Sequence, residues 1–234
     1  MKTIHFDVID STNTYLKENY KNLDNFTFVD ASFQTSGRGR NNRNWKSEKG
    51  ENLLFSLLIK DEVLINKFKS LSIISALSVI ETINIDNLSI KWPNDVYYKD
   101  NKLVGILLEG VTTNKFECLI IGIGINVNQE EFIGDYKREP TSLYRILNRK
   151  VDIDKLKIKV YENIEHNFNL VKKEYDFYDE ISKLDYLKNK DVFADINNEV
   201  KHIKVLGINK DYSLKVKTDN KILNLETGEI SFHI

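Results

Sequence analysis

The stretch LSIKWPNDVYYKDNKLVGILLEGVTTNKFECLIIGIGIN, Leu88 to Asn126, decides the fold. Its apolar runs are Leu88 to Trp92, Val96 to Tyr98, Leu103 to Val111 and Phe116 to Asn126. Between them stand only Pro93-Asn94-Asp95, Lys99-Asp100-Asn101 followed by Lys102, and the connection Thr112 to Lys115, none long enough for a helix. Proline fixes φ and cannot continue a helix. Asp and Asn tolerate the left-handed conformation, so Lys99-Asp100-Asn101 reads as a hairpin turn. Consecutive strands without helices predict a mixed or antiparallel sheet rather than a doubly wound parallel one.

Working outward, Thr3 to Val8 alternates as a strand does, and Asp10 or Ser11 offers an N-cap for a helix to about Tyr20. Phe26 to Gln34 and Asn52 to Lys60 read as strands. Lys67 to Ile83 has apolar residues near helical spacing, predicting a helix with one face on the sheet. Thr141 or Ser142 caps another helix, and Asp154 to about Tyr175 forms a long charged one. After about Leu187 the helical period disappears, and short β-rich runs are broken at Asn197-Asn198, Lys210-Asp211, Asp219-Asn220 and Thr227-Gly228. That pattern predicts a small β-barrel. The expected fold class is α+β: a mixed β-sheet domain flanked by helices over residues 1–186, then a C-terminal β-barrel domain over residues 187–234.

Composition narrows the function classes. The 234 residues carry 34 Lys+Arg and 35 Asp+Glu, a formal net charge of -1. A nucleic-acid binder shows a basic excess, so a basic stretch here is local in purpose. Cys118 is the single cysteine, which excludes an internal disulfide framework and a CxxC metal knuckle. His5, His166, His202 and His233 lack helical zinc spacing. The N-terminus is broken by His5, Asp7 and Asp10, unlike a secretory signal. Ser70 to Ile80 is too short to span a bilayer. A cytoplasmic protein without a membrane partner is the expectation.

The chemistry concentrates in GRGRNNRNWKSEKGEN, Gly37 to Asn52. Arg38, Arg40, Arg43 and Lys46 crowd a stretch without an acidic residue from Ala31 to Ser47. Gly37 and Gly39 flank Arg38 and allow φ > 0 and close approach to a ligand. Arginine suits bidentate contacts to phosphate or carboxylate, and Trp45 offers a surface on which a base stacks. A loop closing over a nucleotide and a second small anion fits this composition, as does a solvated or nucleic-acid-binding arginine–glycine loop.

Ser11-Thr12-Asn13 puts small polar groups at a helix N-terminus, either for a polar ligand or as an ordinary cap. Gln34 ends a strand just before the loop, where its amide suits an amide-like ligand group. Asn94 and Asp95 follow Pro93 on a rigid turn, and Asp95 is either a general base, a holder of magnesium or amine, or a plain turn residue. Lys102 enters an apolar strand beside Gly105, where a snorkelling surface lysine is the plainer reading. Gly122-Ile123-Gly124-Ile125-Asn126-Val127-Asn128 is neither GxGxxG nor a P-loop. Its glycines signal a bulge or close backbone approach.

Taken in order, Ser11-Thr12-Asn13, Gln34, GRGRNNRNW, KWPNDVYYKDNKLVGILLE, GIGINVN and the tail ending Gly228-Glu229-Ile230-Ser231 resemble the biotin protein ligases. The resemblance covers nearly the whole chain. It implies a mixed-sheet catalytic domain with a small β-barrel domain, ATP and biotin as substrates, and magnesium with the ATP. It implies as partner a biotin carboxyl carrier protein or domain of a biotin-dependent carboxylase.

By similarity, Arg38, Arg40, Lys102 and Asp95 are the catalytic residues. Ser11, Thr12, Asn13, Gln34, Gly37, Arg38, Gly39, Arg40, Lys102 and Gly105 bind biotin. Arg38, Arg40, Trp45, Asn94, Lys102 and Asn126 bind ATP or the adenylate. Asn42 stands where relatives often have glycine. Some relatives also carry an N-terminal helix-turn-helix, for which the position of Ser11-Thr12-Asn13 leaves no room, so no DNA binding is expected. Many relatives form homodimers through the sheet edge, and Phe116 to Asn126 is one strand suited to that. Among competing readings, a lipoate or octanoyl transferase shares the resembled fold, an RNA- or DNA-binding protein would use the arginine loop, and a silent biotin-binding protein would form no adenylate.

Overall fold

In the computed structural model, which describes residues 2–40, 43–134, 136, 139–196, 199–218, 221–226 and, as backbone, 230–233, two sheets carry the chain. The first has seven strands: β1 (Lys2–Ile9), β2 (Thr27–Gln34), β3 (Asn52–Ile59), β4 (Leu88–Lys91), β5 (Asp95–Tyr98), β6 (Asn101–Thr112) and β7 (Phe116–Asn126). Its order is β1-β2-β3-β7-β6-β5-β4. Only β1 and β2 pair in parallel; the Leu88 to Asn126 strands form an antiparallel run, as the short breaks demand. The sheet is therefore mixed.

Two details differ from expectation. β7 lies at the sheet's centre, laddered to β3 on one side and β6 on the other, so it offers no dimer edge. The outer edge of β4 is bonded by Leu184 and Tyr186, which leaves β1 as the uncovered edge among the described residues. In the hairpin after β5, the left-handed residue is Lys99 at φ 51°, not Asp100 or Asn101.

The faces of this sheet are built differently. Against one pack α3 (Phe68–Ile83) and α5 (Ile153–Lys172), reached through α2 (Glu62–Asn66) and α4 (Leu143–Leu147). Tyr161 of α5 stacks on Phe28 at 4.1 Å between ring centroids and meets Phe55 at 4.8 Å. α3 is buried all round from Ser70 to Ile80, not on one face, because α5 covers its outer side. Its Ser75 and Ser78 hydroxyls donate to the Leu71 and Ile74 carbonyls, which satisfies them inside the core. Truncating a residue here, such as Leu77→Ala, costs roughly 2–5 kcal/mol.

On the opposite face α1 (Thr12–Asn19) covers only the β2–β3–β7 end, packing Leu16 with Val29, Leu58 and Ile120. Ser11 caps α1, its hydroxyl accepting from the Thr14 N–H at 3.5 Å. The rest of that face is left open, and the site occupies it.

After α6 (Tyr178–Lys183) the second sheet begins. It comprises β8 (Asp191–Ile196), β9 (Glu199–Ile208), β10 (Leu214–Lys217), β11 (Ile222–Leu225) and β12 (Ile230–His233), in the order β11-β10-β9-β8-β12. Among the described residues it is an antiparallel five-stranded sheet in which no ladder joins β11 to β12. The turn at Lys210-Asp211 is present, with Tyr212 at φ 65°. The expected turns at Asn197-Asn198, Asp219-Asn220 and Thr227-Gly228 lie outside the described residues, as does Asn42.

Candidate active site

Side chains at alternate positions of a strand share a face, and antiparallel partners face the same way. The register Ser56↔Gly122, Gly122↔Leu107 and Gly124↔Gly105 therefore gathers these positions on the open face, and Glu109↔Ile120 and Asp95↔Gly105 extend it. Glycines at 105, 122 and 124 strip side chains from the floor. A cleft of about 720 Å³ stands above it, lined by Ser11, Thr12, Asn13, Gln34, Arg38, Gly39, Arg40, Trp45, Asn94, Asp95, Lys102, Gly105 and Asn126. Of the expected site residues, only Gly37 does not line it. A more open groove of about 650 Å³ beside α5 has polar groups that largely satisfy one another, Glu81 with Asn163 and Asn167, Tyr175 with Glu180.

At the α1 end, Gln34 Oε1 accepts from the Thr12 N–H at 2.8 Å. Ser56 Oγ donates to Asn13 Oδ1 at 2.5 Å and lies 2.6 Å from the Thr12 hydroxyl. Because Ser56 has spent its proton on Asn13, the Thr12 hydroxyl, whose one proton could also reach Gln34 Oε1 at 3.1 Å, gives it to the nearer Ser56. Asn13 Nδ2 then donates to Glu109 Oε2 at 2.7 Å, and Glu109 Oε1 pairs with Arg38 at 3.0 Å. A continuous hydrogen-bonded chain thus runs from Gln34 to Arg38. A Cβ on Gly122 would stand 2.2 Å from Asn13 Oδ1, so this glycine makes room for a side chain of the protein itself.

The basic segment folds back on itself. Gly39 N–H donates to the Arg43 carbonyl at 2.7 Å, and Trp45 N–H to that of Gly37 at 2.9 Å. Neither Gly37 nor Gly39 has positive φ; a Cβ on Gly37 would lie 2.6 Å from the Trp45 carbonyl, so the returning backbone requires the glycine. Arg40 donates to Asn94 Oδ1 at 3.1 Å, and Asn94 Nδ2 donates to the Ile106 carbonyl. Burial lowers the Arg40 pKa, Asp95 opposes that and Arg43 adds to it.

Trp45 lies flat on the floor. A Cβ on Gly105 or Gly124 would come within 2.6 Å of its ring. Its Nε1 is buried without a hydrogen-bond partner. Lys102 Nζ stands 5.5 Å from the ring centroid and 2.7 Å from Asp95 Oδ1.

Lys102 reaches this face through a bulge. The pairs Val96↔Val104 and Tyr97↔Lys102 leave Leu103 as an extra residue on β6, which turns Lys102 to the face of Asp95 and Gly105. Strict alternation would have sent it to the opposite side. The turn carrying Asn94 and Asp95 is tied to the second sheet, since Trp92 Nε1 donates to the Tyr212 carbonyl at 2.9 Å. Asn126, buried in the cleft wall, donates to the Thr141 carbonyl at 3.0 Å while its Oδ1 has no partner.

Sequence reading missed Ser56 and Glu109 as site residues, and with them Phe132 and Tyr136, which line the cleft from the segment after β7. Ser56 carried a signal, a polar residue within the apolar run NLLFSLLIK. Glu109 carried a similar one at the end of LVGILLE.

Residues 5–126 match the biotin/lipoate A/B protein ligase family model. The chain is 36% identical over 156 residues to the bifunctional ligase/repressor of Bacillus subtilis, covering 64% of this chain and 48% of that protein. It is 32% identical over 124 residues to the biotin–[acetyl-CoA-carboxylase] ligase of Paracoccus denitrificans, covering 50% and 51%. The chain thus spans about half the length of the curated relatives it matches. Among solved structures, the biotin protein ligase from Aquifex aeolicus in complex with biotin and ATP superimposes with a TM-score of 0.88 at 30% identity, covering 99% of this chain and 98% of that one. With the family's domain over half its length and the fold matched end to end, the chain belongs to the biotin/lipoate A/B protein ligase family.

Proposed function

We propose that the chain is a biotin protein ligase, activating biotin with ATP to biotinyl-5'-AMP and transferring biotin to a lysine of a biotin carboxyl carrier protein or domain. The observation that carries this reading is the convergence of Arg38, Arg40 and Lys102 over a glycine floor that ends in the Gln34–Thr12–Ser56–Asn13 chain. A flat neutral head with amide-like polarity suits the chain end, and an anion suits the cations. The catalytic unit is residues 1–186, with residues 187–234 bracing the Trp92 to Asp95 turn through Tyr212.

In the first half-reaction a carboxylate oxygen of biotin attacks the α-phosphorus, the bond to the β-phosphate oxygen breaks, and pyrophosphate leaves. Two anions must meet, and Arg38, Arg40 and Lys102 offset their repulsion. Each charge-assisted contact contributes roughly 1.5–3 kcal/mol, so losing one slows the step about 10- to 150-fold. Arginine has five donors, which lets Arg38 keep Glu109 and still grip a ligand anion.

Gln34 Nε2 and the Ser11, Thr12 and Asn13 groups meet biotin's polar atoms, and Gly37 and Gly39 shape the loop around it. Trp45 covers Gly105 and Gly124; it lifts when biotin takes that floor and then offers its face to the adenine. Asn94 fixes Arg40, and Asn126 Oδ1 supplies an acceptor to the nucleotide.

Among the described residues no group of three or more His, Cys, Asp or Glu could hold a metal. Magnesium arriving on the triphosphate keeps its waters and needs only one or two protein oxygens; Asn126 Oδ1, buried without a partner, would be a suitable one. When bound, it neutralises phosphate charge.

In the second half-reaction the carrier lysine's nitrogen attacks the acyl carbon, the bond to the AMP oxygen breaks, and Asp95 accepts the amine proton. No helix among the described residues is long and apolar enough to cross a membrane, and use of ATP suits a cytoplasmic protein. A homodimer through the sheet edge would use β1.

Mass spectrometry after mixing protein, magnesium and ATP with biotin, or with lipoate in parallel, tests the reading. Biotinyl-adenylate supports it. Lipoyl-adenylate alone replaces the substrate, and the absence of both adenylates refutes the ligase assignment.

A further inference from the structure

Glu109 is the acidic residue on the cleft face that the proposed mechanism does not use. Its side chain is 18% exposed, and each carboxylate oxygen is committed to a different segment of the chain. Oε2 receives Asn13 Nδ2 from the first turn of α1, while Oε1 holds Arg38 at the start of the basic loop. Asn13 has its amide oxygen fixed by Ser56, so its orientation depends on an acceptor opposite Nδ2. Arg38 is 43% exposed and otherwise free to sweep through solvent.

We propose that Glu109 is a positioning residue that sets the Asn13 amide and the Arg38 guanidinium at fixed places in one cleft, and so couples the site for biotin's polar head to the site for the reacting anions. This rests on the ligase reading. A plain structural ion pair is the competing account, and its half-exposed partner makes it weak in stability terms.

Glutamine at this position keeps an acceptor for one partner only; its amide nitrogen then confronts a donor on the other. Aspartate keeps the charge but is one methylene short of spanning both. Biotin affinity by calorimetry and the single-turnover rate of biotinyl-adenylate formation are measured for wild type, Glu109→Gln, Glu109→Asp, Arg38→Ala and the Arg38→Ala/Glu109→Gln double variant, with a thermal melt of each. For Glu109→Gln the expectation is a melt about 2–6 °C below wild type, as the charge-assisted bond to Asn13 becomes a neutral one, with biotin affinity down about 10-fold and adenylation down about 10-fold, and Glu109→Asp between the two.

In the Arg38→Ala background, Glu109→Gln should slow adenylation less than it does in wild type, because one of the two groups it sets is gone and only Asn13 remains. Wild-type affinity and rate in Glu109→Gln would overturn the proposal. So would an equal multiplicative loss in the Arg38→Ala background. Should Glu109→Gln melt lower than that range, wild-type adenylation in Glu109→Asp would overturn it instead. Absence of biotinyl-adenylate from wild type removes the biotin ligase reading and this inference with it, whereas an active wild type with an unaffected variant removes this inference alone.

Discussion

Adding a methyl group at Gly122 should damage the cleft more than an ordinary strand substitution. The Cβ would lie 2.2 Å from Asn13 Oδ1 and 2.9 Å from its Cγ. Residue 122 is laddered between Ser56 and Leu107, so the backbone has no room to shift. The Asn13 amide must move, breaking its bonds to Ser56 and Glu109.

A neutral hydrogen bond contributes about 0.5–1.5 kcal/mol and one to a charged group about 1.5–3, which sums to ~2–4.5 kcal/mol. Rotation of the amide toward water returns part of it, leaving ~2–3 kcal/mol. For a chain of this size each kcal/mol moves Tm by about 2–4 °C, so Gly122→Ala should melt ~4–12 °C lower. If the same displacement is felt by the ligand, biotin affinity falls at least about 10-fold. Differential scanning calorimetry and isothermal titration with biotin measure both. Removing the obstructing amide relieves the collision, so Asn13→Ala/Gly122→Ala should melt no lower than Asn13→Ala alone. Wild-type Tm and biotin affinity in Gly122→Ala, or a fully additive double variant, would refute the reasoning.

Lys102→Ala should slow adenylate formation about 10- to 150-fold while the fold survives; wild-type pyrophosphate release would remove Lys102 from the mechanism. Asp95→Asn should spare adenylation more than transfer to the carrier, with a small loss in the first step because Lys102 loses its 2.7 Å partner; equal losses would count against the proton-acceptor role. Biotin should change tryptophan emission, since Trp45 and Trp92 are the chain's two tryptophans and only Trp45 stands on the ligand's floor; an unchanged spectrum at saturation would mean the indole stays in place. Burial pushes the Cys118 thiol up to about 11. The folded state therefore favours the neutral thiol, and that stabilisation is complete below the unfolded pKa and lost as pH rises from about 9 through about 11. Cys118→Ala should flatten the fall in unfolding free energy across that window, and an identical slope in denaturant titrations would refute the assignment.

Much of the fold was legible because it is written in local patterns. The short breaks in Leu88 to Asn126 leave no room for crossovers, and the antiparallel run follows. Ser11 and Ser142 cap helices as their chemistry suggests. The site was legible as a set of segments, since Thr12, Gln34, Arg38, Asn94 and Lys102 do meet in one cleft. Less legible was what each glycine is for. Gly37 yields to the loop's own returning backbone, Gly122 to Asn13, and Gly105 and Gly124 to Trp45.

The sequence by itself determined the strands, the caps, the basic glycine-bearing segment and the polar residues at strand ends, because these depend on neighbours a few positions away. Only the tertiary structure decided which of them share a face. The bulge at Leu103 that turns Lys102 toward Asp95 is a property of β5 and β6 together. The recruitment of Ser56 and Glu109 into a chain with Thr12, Asn13 and Arg38 depends on the register of β3, β7 and β6. Alternation assigns faces within one strand; it is cross-strand register and bulges that bring faces from distant segments together.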